Sequence, residues 1–149
     1  MQHMTLDQIT PVAKVVSFRP DPSREERRAR LARLADLLAS HDGPVRLFSG
    51  IEHLRARDRE SFRQDCSPFT VAFQDTQFRR EGLMSDRVGD GMAFFGLSFA
   101  QTHRLFCECH YDAFATPQTI SGRVRSAANH VTFSEMWDKA VTAIRARLS

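Results

Sequence analysis

The chain has 149 residues, a net charge of +3, 42% hydrophobic and 26% charged residues, proportions of one globular domain rather than of a disordered chain. No apolar run approaches the ~20 residues that cross a bilayer, and Met1 to Val16 lack the basic stretch, apolar core and cleavage site of a secretory signal. An odd count of three cysteines, with Cys107 and Cys109 too close for an easy mutual disulfide, fits a reducing compartment, so the expected location is the cytoplasm and no membrane partner is expected.

In chain order, Thr10 to Phe18 is β-branched and apolar without helical period, which predicts a short strand or extended arm; residues 1–20 are taken as an N-terminal arm, partly disordered, ahead of one helical domain over 21–149. Arg19-Pro20-Asp21-Pro22 breaks the chain. Ser23 with Glu26 forms a capping-box start, and Leu31, Leu34, Ala35 and Leu38 follow at helical spacing up to the stop at Asp42-Gly43-Pro44. Val45 to Phe48 reads as a strand or a helix entry. Ile51 to Gln64 reads as a polar helix with a thin apolar face of Ile51, Leu54 and Phe62. Ser67-Pro68 has the order of an N-cap and first helical residue, predicting a helix to about Arg80 that stops at Gly82. A short helix then ends near Gly96, Ser98 caps the segment Phe99 to Cys109, and Thr116-Pro117 opens a helix with Ile120, Val124, Ala127, Ala128 and Val131 on one face. Thr132 and Glu135 form a second capping box before Phe133, Met136, Trp137, Ala140, Val141, Ile144 and Leu148, the clearest amphipathic stripe in the chain. The expected class is all-α, a compact bundle of five to seven helices with a short N-terminal strand or arm.

Asp58, Ser61 and Phe62, then Cys66-Ser67-Pro68, then Phe95-Gly96-Leu97-Ser98 leading to Leu105-Phe106, and finally Thr116-Pro117 with Arg123-Val124 occur in an order that resembles a loosely defined group of small bacterial helical proteins of unknown function. The resemblance spans residues 58–127 and implies a helical fold, with no activity attached. The chain departs from the group at Thr70, Val71 and Phe73, where members carry a second cysteine and a glycine, so a role that needs a cysteine pair there is not implied.

Four constellations carry candidate chemistry. His103, Cys107, Cys109 and His110 crowd one short segment, with His103 and Cys107 four apart; imidazole and thiolate are zinc donors, and Cys66 is available as a further ligand. The alternative there is that Cys107 and Cys109 are small buried hydrophobes. Cys66 stands just before a helix start, where the dipole favours thiolate, and is the one candidate nucleophile, with His53, His103 or His110 as base. Residues 92–106 have the outline of a helix-turn-helix in which Gln101, Thr102 and Arg104 would face DNA. Lastly, only Lys14 and Lys139 of the 21 basic residues are lysines. Arg24, Arg27 and Arg28 on the first helix, with Phe95 and Phe99 at a Phe-rich corner that includes Phe94 and Phe114, are therefore candidate partner-binding residues. The interleaved Glu25, Glu26 and Asp36 also allow pairing along a solvated face.

No phosphate loop, zinc-protease helix or nucleophile elbow is present in the sequence. The favoured expectation is a non-catalytic cytoplasmic binding or regulatory module without a cofactor, acting through a protein partner or self-association. The alternatives are a DNA-binding protein using residues 92–106, and a metal- or thiol-dependent protein using Cys66, Cys107, Cys109 and nearby histidines, with zinc as the metal.

Overall fold

The computed structural model describes residues 21–112, 115–130 and 133–148. They form an all-α bundle of α1 (Arg24–Ala39), α2 (Ala56–Ser61), α3 (Pro68–Gln74), α4 (Thr76–Glu81), α5 (Val88–Phe95), α6 (Phe99–Phe106), α7 (Pro117–Asn129) and α8 (Phe133–Leu148), with single 3-10 turns at Ile51–His53 and Glu108–His110. Among the described residues there is no strand. Val45 to Phe48 makes only one isolated parallel bridge, from Phe48 to Cys107. The expected arm over residues 1–20, Phe114 and the Thr132 cap lie outside the described residues.

Local chemistry sets most helix boundaries. Ser23 accepts from Glu26 N at 3.1 Å at the start of α1. Ser67 and Thr70 close a reciprocal capping box at α3, and Ser98 and Gln101 close another at α6. Thr116 accepts from Thr119 N at 3.2 Å ahead of Pro117. α5 ends on Gly96 at φ 63°, a conformation that glycine enters without side-chain cost.

Two expected helices are interrupted, and one of the breaks raises the count to eight α-helices among the described residues where five to seven are expected. The helix predicted from Pro68 to Arg80 breaks at Asp75, which closes α3 and caps α4 by accepting from Phe78 N at 3.3 Å. The same carboxylate takes two bonds from Arg33, at 2.8 and 2.9 Å. The helix predicted over Ile51–Gln64 breaks at Leu54 and Arg55, which are extended. Arg59 donates to the carbonyls of Ile51 and Leu54 at 3.3 and 3.2 Å.

α1 packs most extensively on α7. Leu31, Leu34, Ala35 and Leu38 are fully buried, as are Ile120 and Val124, and Ser121 of α7 donates to the Ala35 carbonyl at 2.6 Å. The rest of the core is built from phenylalanine. Phe48, Phe69, Phe78, Phe95 and Phe106 are fully buried, and Phe69 lies 5.8, 6.0 and 5.2 Å from Phe48, Phe95 and Phe106 between ring centroids. Gly91 lets α5 approach this ring closely: a Cβ there would fall 2.5 Å from Phe69.

This packing corrects the expected Phe-rich docking corner. Phe95 is fully buried and Phe94 nearly so. Phe99 is half-buried beneath the Arg59 guanidinium, 3.6 Å above its ring. Phe94 and Phe95, buried in this way, have no face left for a partner.

Candidate metal centre

α6 ends at Phe106, and Cys107 leaves it in an extended conformation. Phe48 fixes that exit: its N–H donates to the Phe106 carbonyl at 2.8 Å, and its carbonyl accepts from Glu108 N at 3.0 Å. The chain then winds through the 3-10 turn Glu108–His110. This path turns Cys107 into the core, 1% exposed, and leaves Cys109 at the surface. Three further bonds hold the turn. Ser49 donates to Glu108 at 2.7 Å, Tyr111 donates its hydroxyl to the Leu105 carbonyl at 2.5 Å, and Arg123 of α7 donates to the His110 carbonyl at 2.5 Å. The Arg123 guanidinium also covers the Tyr111 ring at 3.8 Å.

The turn lays Cys109 and His110 against His103 on α6. His110 Nε2 stands 2.8 Å from His103 Nδ1, with the rings perpendicular. Cys109 Sγ is 3.8 Å from His103 Nε2. Glu52 comes from the other 3-10 turn, and its carboxylate oxygen lies 3.3 Å from the same nitrogen. The network fits a relay in which His110 Nε2 donates to His103 Nδ1 and His103 Nε2 donates to Glu52, an assignment made from partners rather than from visible hydrogens.

The groups differ in how readily they would lose a proton to a metal. A hydrogen bond from its own backbone amide, aided by His103, holds the Glu52 carboxyl below the usual glutamate range. Burial pushes the Cys107 thiol up to about 12, so it stays protonated at neutral pH. Cys109 is the exposed thiol. Two sets of donors lie within 4.8 Å of one another: His103, Cys109 and His110, and separately Glu52, His103 and Cys107. These are groups that could hold a metal ion. The first set is the more accessible, since its thiol is outside the core.

Three of the four metal-ligand candidates from the sequence thus meet, while Cys107 sits behind them as a buried thiol that touches the site only through its approach to His103 and Glu52. Glu52 escapes sequence reasoning because it lies 51 positions from His103, and the Phe48–Cys107 bridge that joins the two segments has no local signature. Ser49 and Arg123 escape it for the same reason.

The remaining candidates fall elsewhere. Cys66 is half-buried at φ 60°, an uncommon conformation for a residue with a side chain. No hydrogen bond among the described residues joins its thiol to a histidine, and His53 faces Glu52 at 3.4 Å instead. Thr102 is fully buried, its hydroxyl donating to the Ser98 carbonyl at 2.9 Å. Gln101 is spent on the α6 cap, accepting from Ser98 N at 2.9 Å. Of the three expected base-reading side chains Thr102 is thus withdrawn from solvent, while Gln101 and Arg104 are exposed.

Along α1, Arg24 and Arg28 are exposed and Arg27 is half-buried. Their neighbours are structural. Arg30 donates to the Phe94 carbonyl at 2.8 Å and lies 4.0 Å over the Phe94 ring, and Arg33 clamps Asp75. Among the described residues no helix is long and apolar enough to cross a membrane. No family model, curated protein or solved structure matches the chain.

Proposed function

We propose that this protein is a non-catalytic binding module that holds a zinc-class divalent ion at His103, Cys109 and His110, with Glu52 as an adjoining oxygen donor. The observation that carries the reading is the convergence of two imidazoles and an exposed thiol within 4.8 Å. Zinc bonds of ~2.0–2.1 Å to nitrogen and ~2.3 Å to sulfur put tetrahedral donors about 3.3–3.6 Å apart. The 3.8 Å between Cys109 Sγ and His103 Nε2 is close to that separation. Each imidazole gives one nitrogen to the ion, so an ion at His103 Nε2 beside Cys109 requires the 2.8 Å His110 Nε2–His103 Nδ1 hydrogen bond to break. A soft thiolate with imidazoles favours zinc, cobalt or copper over magnesium or calcium. The outer contacts from Arg123, Tyr111 and Ser49 would keep the turn in place, the usual task of groups behind metal ligands. Three free thiols fit a reducing compartment such as the cytoplasm.

The test is cobalt titration of the full chain after chelator treatment, followed by absorbance. The expected result is one ion per chain with a sulfur-to-cobalt band. Cys109→Ser should abolish the band, His103→Ala should weaken binding, and Cys107→Ala should retain both. Binding should weaken as pH falls, because zinc-class ions compete with protons for nitrogen and sulfur donors. An unchanged band in Cys109→Ser, or no band in the parent protein, overturns the reading.

A further inference from the structure

α6 and α7 frame a surface groove of 570 Å³, a size common among small-molecule sites. Its floor is apolar, made by Leu97 and Leu105, each nearly buried by the fold, and by Ala127. Thr119, Gly122 and Ser126 of α7 line one wall. A Cβ at Gly122 would meet nothing within 4 Å, so the wall is set back at its middle and leaves the floor open.

The charge around this floor is of one sign. Arg27, Arg104 and Arg123 contribute to the lining, and no carboxylate does. Arg123 is committed, since it holds the His110 carbonyl and covers the Tyr111 ring. Elsewhere the arginines that reach between segments find carboxylates: Arg33 takes Asp75, Arg63 takes Asp86 and Arg125 takes Asp36. Among the described residues no such pair forms for Arg27 or Arg104. The Arg27 Nε is moreover buried and meets no acceptor, a condition that folded proteins rarely leave unsatisfied.

An occupant of this groove must therefore bring an apolar body and an anion. We propose that it binds a small carboxylic acid with a medium-length apolar chain. The carboxylate is held by Arg27 and Arg104, and the chain lies on Leu97, Leu105 and Ala127. A guanidinium fork matches a carboxylate with two parallel hydrogen bonds, and such a head supplies the acceptor that Arg27 lacks. A neutral apolar ligand would leave both guanidiniums unmet, and a cation would be repelled. The groove uses none of the donors of the metal centre, so the two sites stand or fall separately.

The test is calorimetric titration of the full chain, kept in chelator so that no metal contributes, with decanoate, decanol and decylamine as probes. Decanoate should bind once per chain. The other two keep the chain and lose the anion, and should bind at least about tenfold more weakly. Gly122→Leu fills the groove from a position with open space, and Arg104→Gln removes an exposed guanidinium. Each should weaken decanoate by about tenfold or more and retain the helical signal of the parent. Arg28→Gln, exposed on α1 and outside the lining, should leave binding unchanged. The absence of saturable decanoate binding overturns the proposal. So does decanol that matches decanoate, which would show an apolar patch that reads no charge. Decanoate binding indifferent to both groove substitutions lies on another surface, such as the exposed face of α8, and overturns the proposal too.

Discussion

α1 and α8 are both 16-residue helices, and they stand in opposite surroundings. Leu31, Leu34, Ala35 and Leu38 of α1 are fully buried against α7 and the phenylalanine core. α8 carries the cleaner stripe and shows it to solvent. An apolar stripe therefore reports that a helix can be buried, and only a complementary surface within reach decides whether it is. α1 has two such surfaces, together with polar clamps from Arg30 and Arg33. α8 follows a helix whose own outer groove is apolar and cationic but uncovered in the single chain.

The largest expected effects sharpen that contrast from the buried side. Phe69→Ala removes the ring on which Phe48, Phe95 and Phe106 converge and should cost about 3–5 kcal/mol. Leu34→Ala on α1 should cost about 2–5 kcal/mol for the same cavity reason. Denaturant unfolding measures both, and neither cost should depend on protein concentration. A loss under 1 kcal/mol for Leu34→Ala would mean that the α1–α7 seam is loose and that the two helices differ less than their burial says. Gly91→Ala comes next. Its methyl would press on the Phe69 ring at 2.5 Å, and overpacking of this kind costs about 1–3 kcal/mol, above the gain in helix propensity that alanine brings.

How far the sequence foretells these features depends on the range of the forces involved. Caps at Ser23, Ser67, Ser98 and Thr116 act within three residues, so the starts of α1, α3, α6 and α7 are legible. The breaks at Asp75 and at Leu54–Arg55 are only half local. Asp75 is a good N-cap, but the second half of its role comes from Arg33, 42 positions away. The ligand cluster is legible where it is one segment, His103 to His110, and illegible where Glu52 joins from another turn. Cys107 and Cys109 look equivalent in the sequence. The Phe48 bridge gives them opposite directions, one into the core and one into solvent. The abundance of phenylalanine allowed a docking corner or a core, and the mutual packing of five buried rings decides for the core.

Asp75→Asn tests the polar half of the α1 attachment and should cost about 1–2 kcal/mol near neutral pH, from a charge-assisted pair and a cap lost together. The Arg33 guanidinium holds the Asp75 carboxyl below the ordinary aspartate range, with Phe78 N–H helping and burial opposing. A depressed folded-state value means that this stabilisation is fully present above the unfolded pKa of about 3.9. It is lost as pH falls through the lower folded value. The difference between parent and Asp75→Asn should therefore shrink in acid, and chemical unfolding at pH values on either side of about 4 reads it directly. A difference that stays constant would show that the cost lies in packing and not in the charge.

The smallest effect carries the most information about α8. Ile144→Ala should change unfolding stability by less than ~0.5 kcal/mol when the chain is dilute, because its side chain is 57% exposed and leaves no cavity behind. Were a second copy to cover this side chain, the cost would rise with concentration, following mass action. Leu34→Ala offers the control: its side chain is fully buried within one chain, and its cost should be flat over the same range. If both variants show flat costs, and that of Ile144→Ala stays near zero, α8 gains nothing from a second copy. If the cost of Ile144→Ala is large even at high dilution, α8 is covered within the single chain, and the contrast between the two helices collapses.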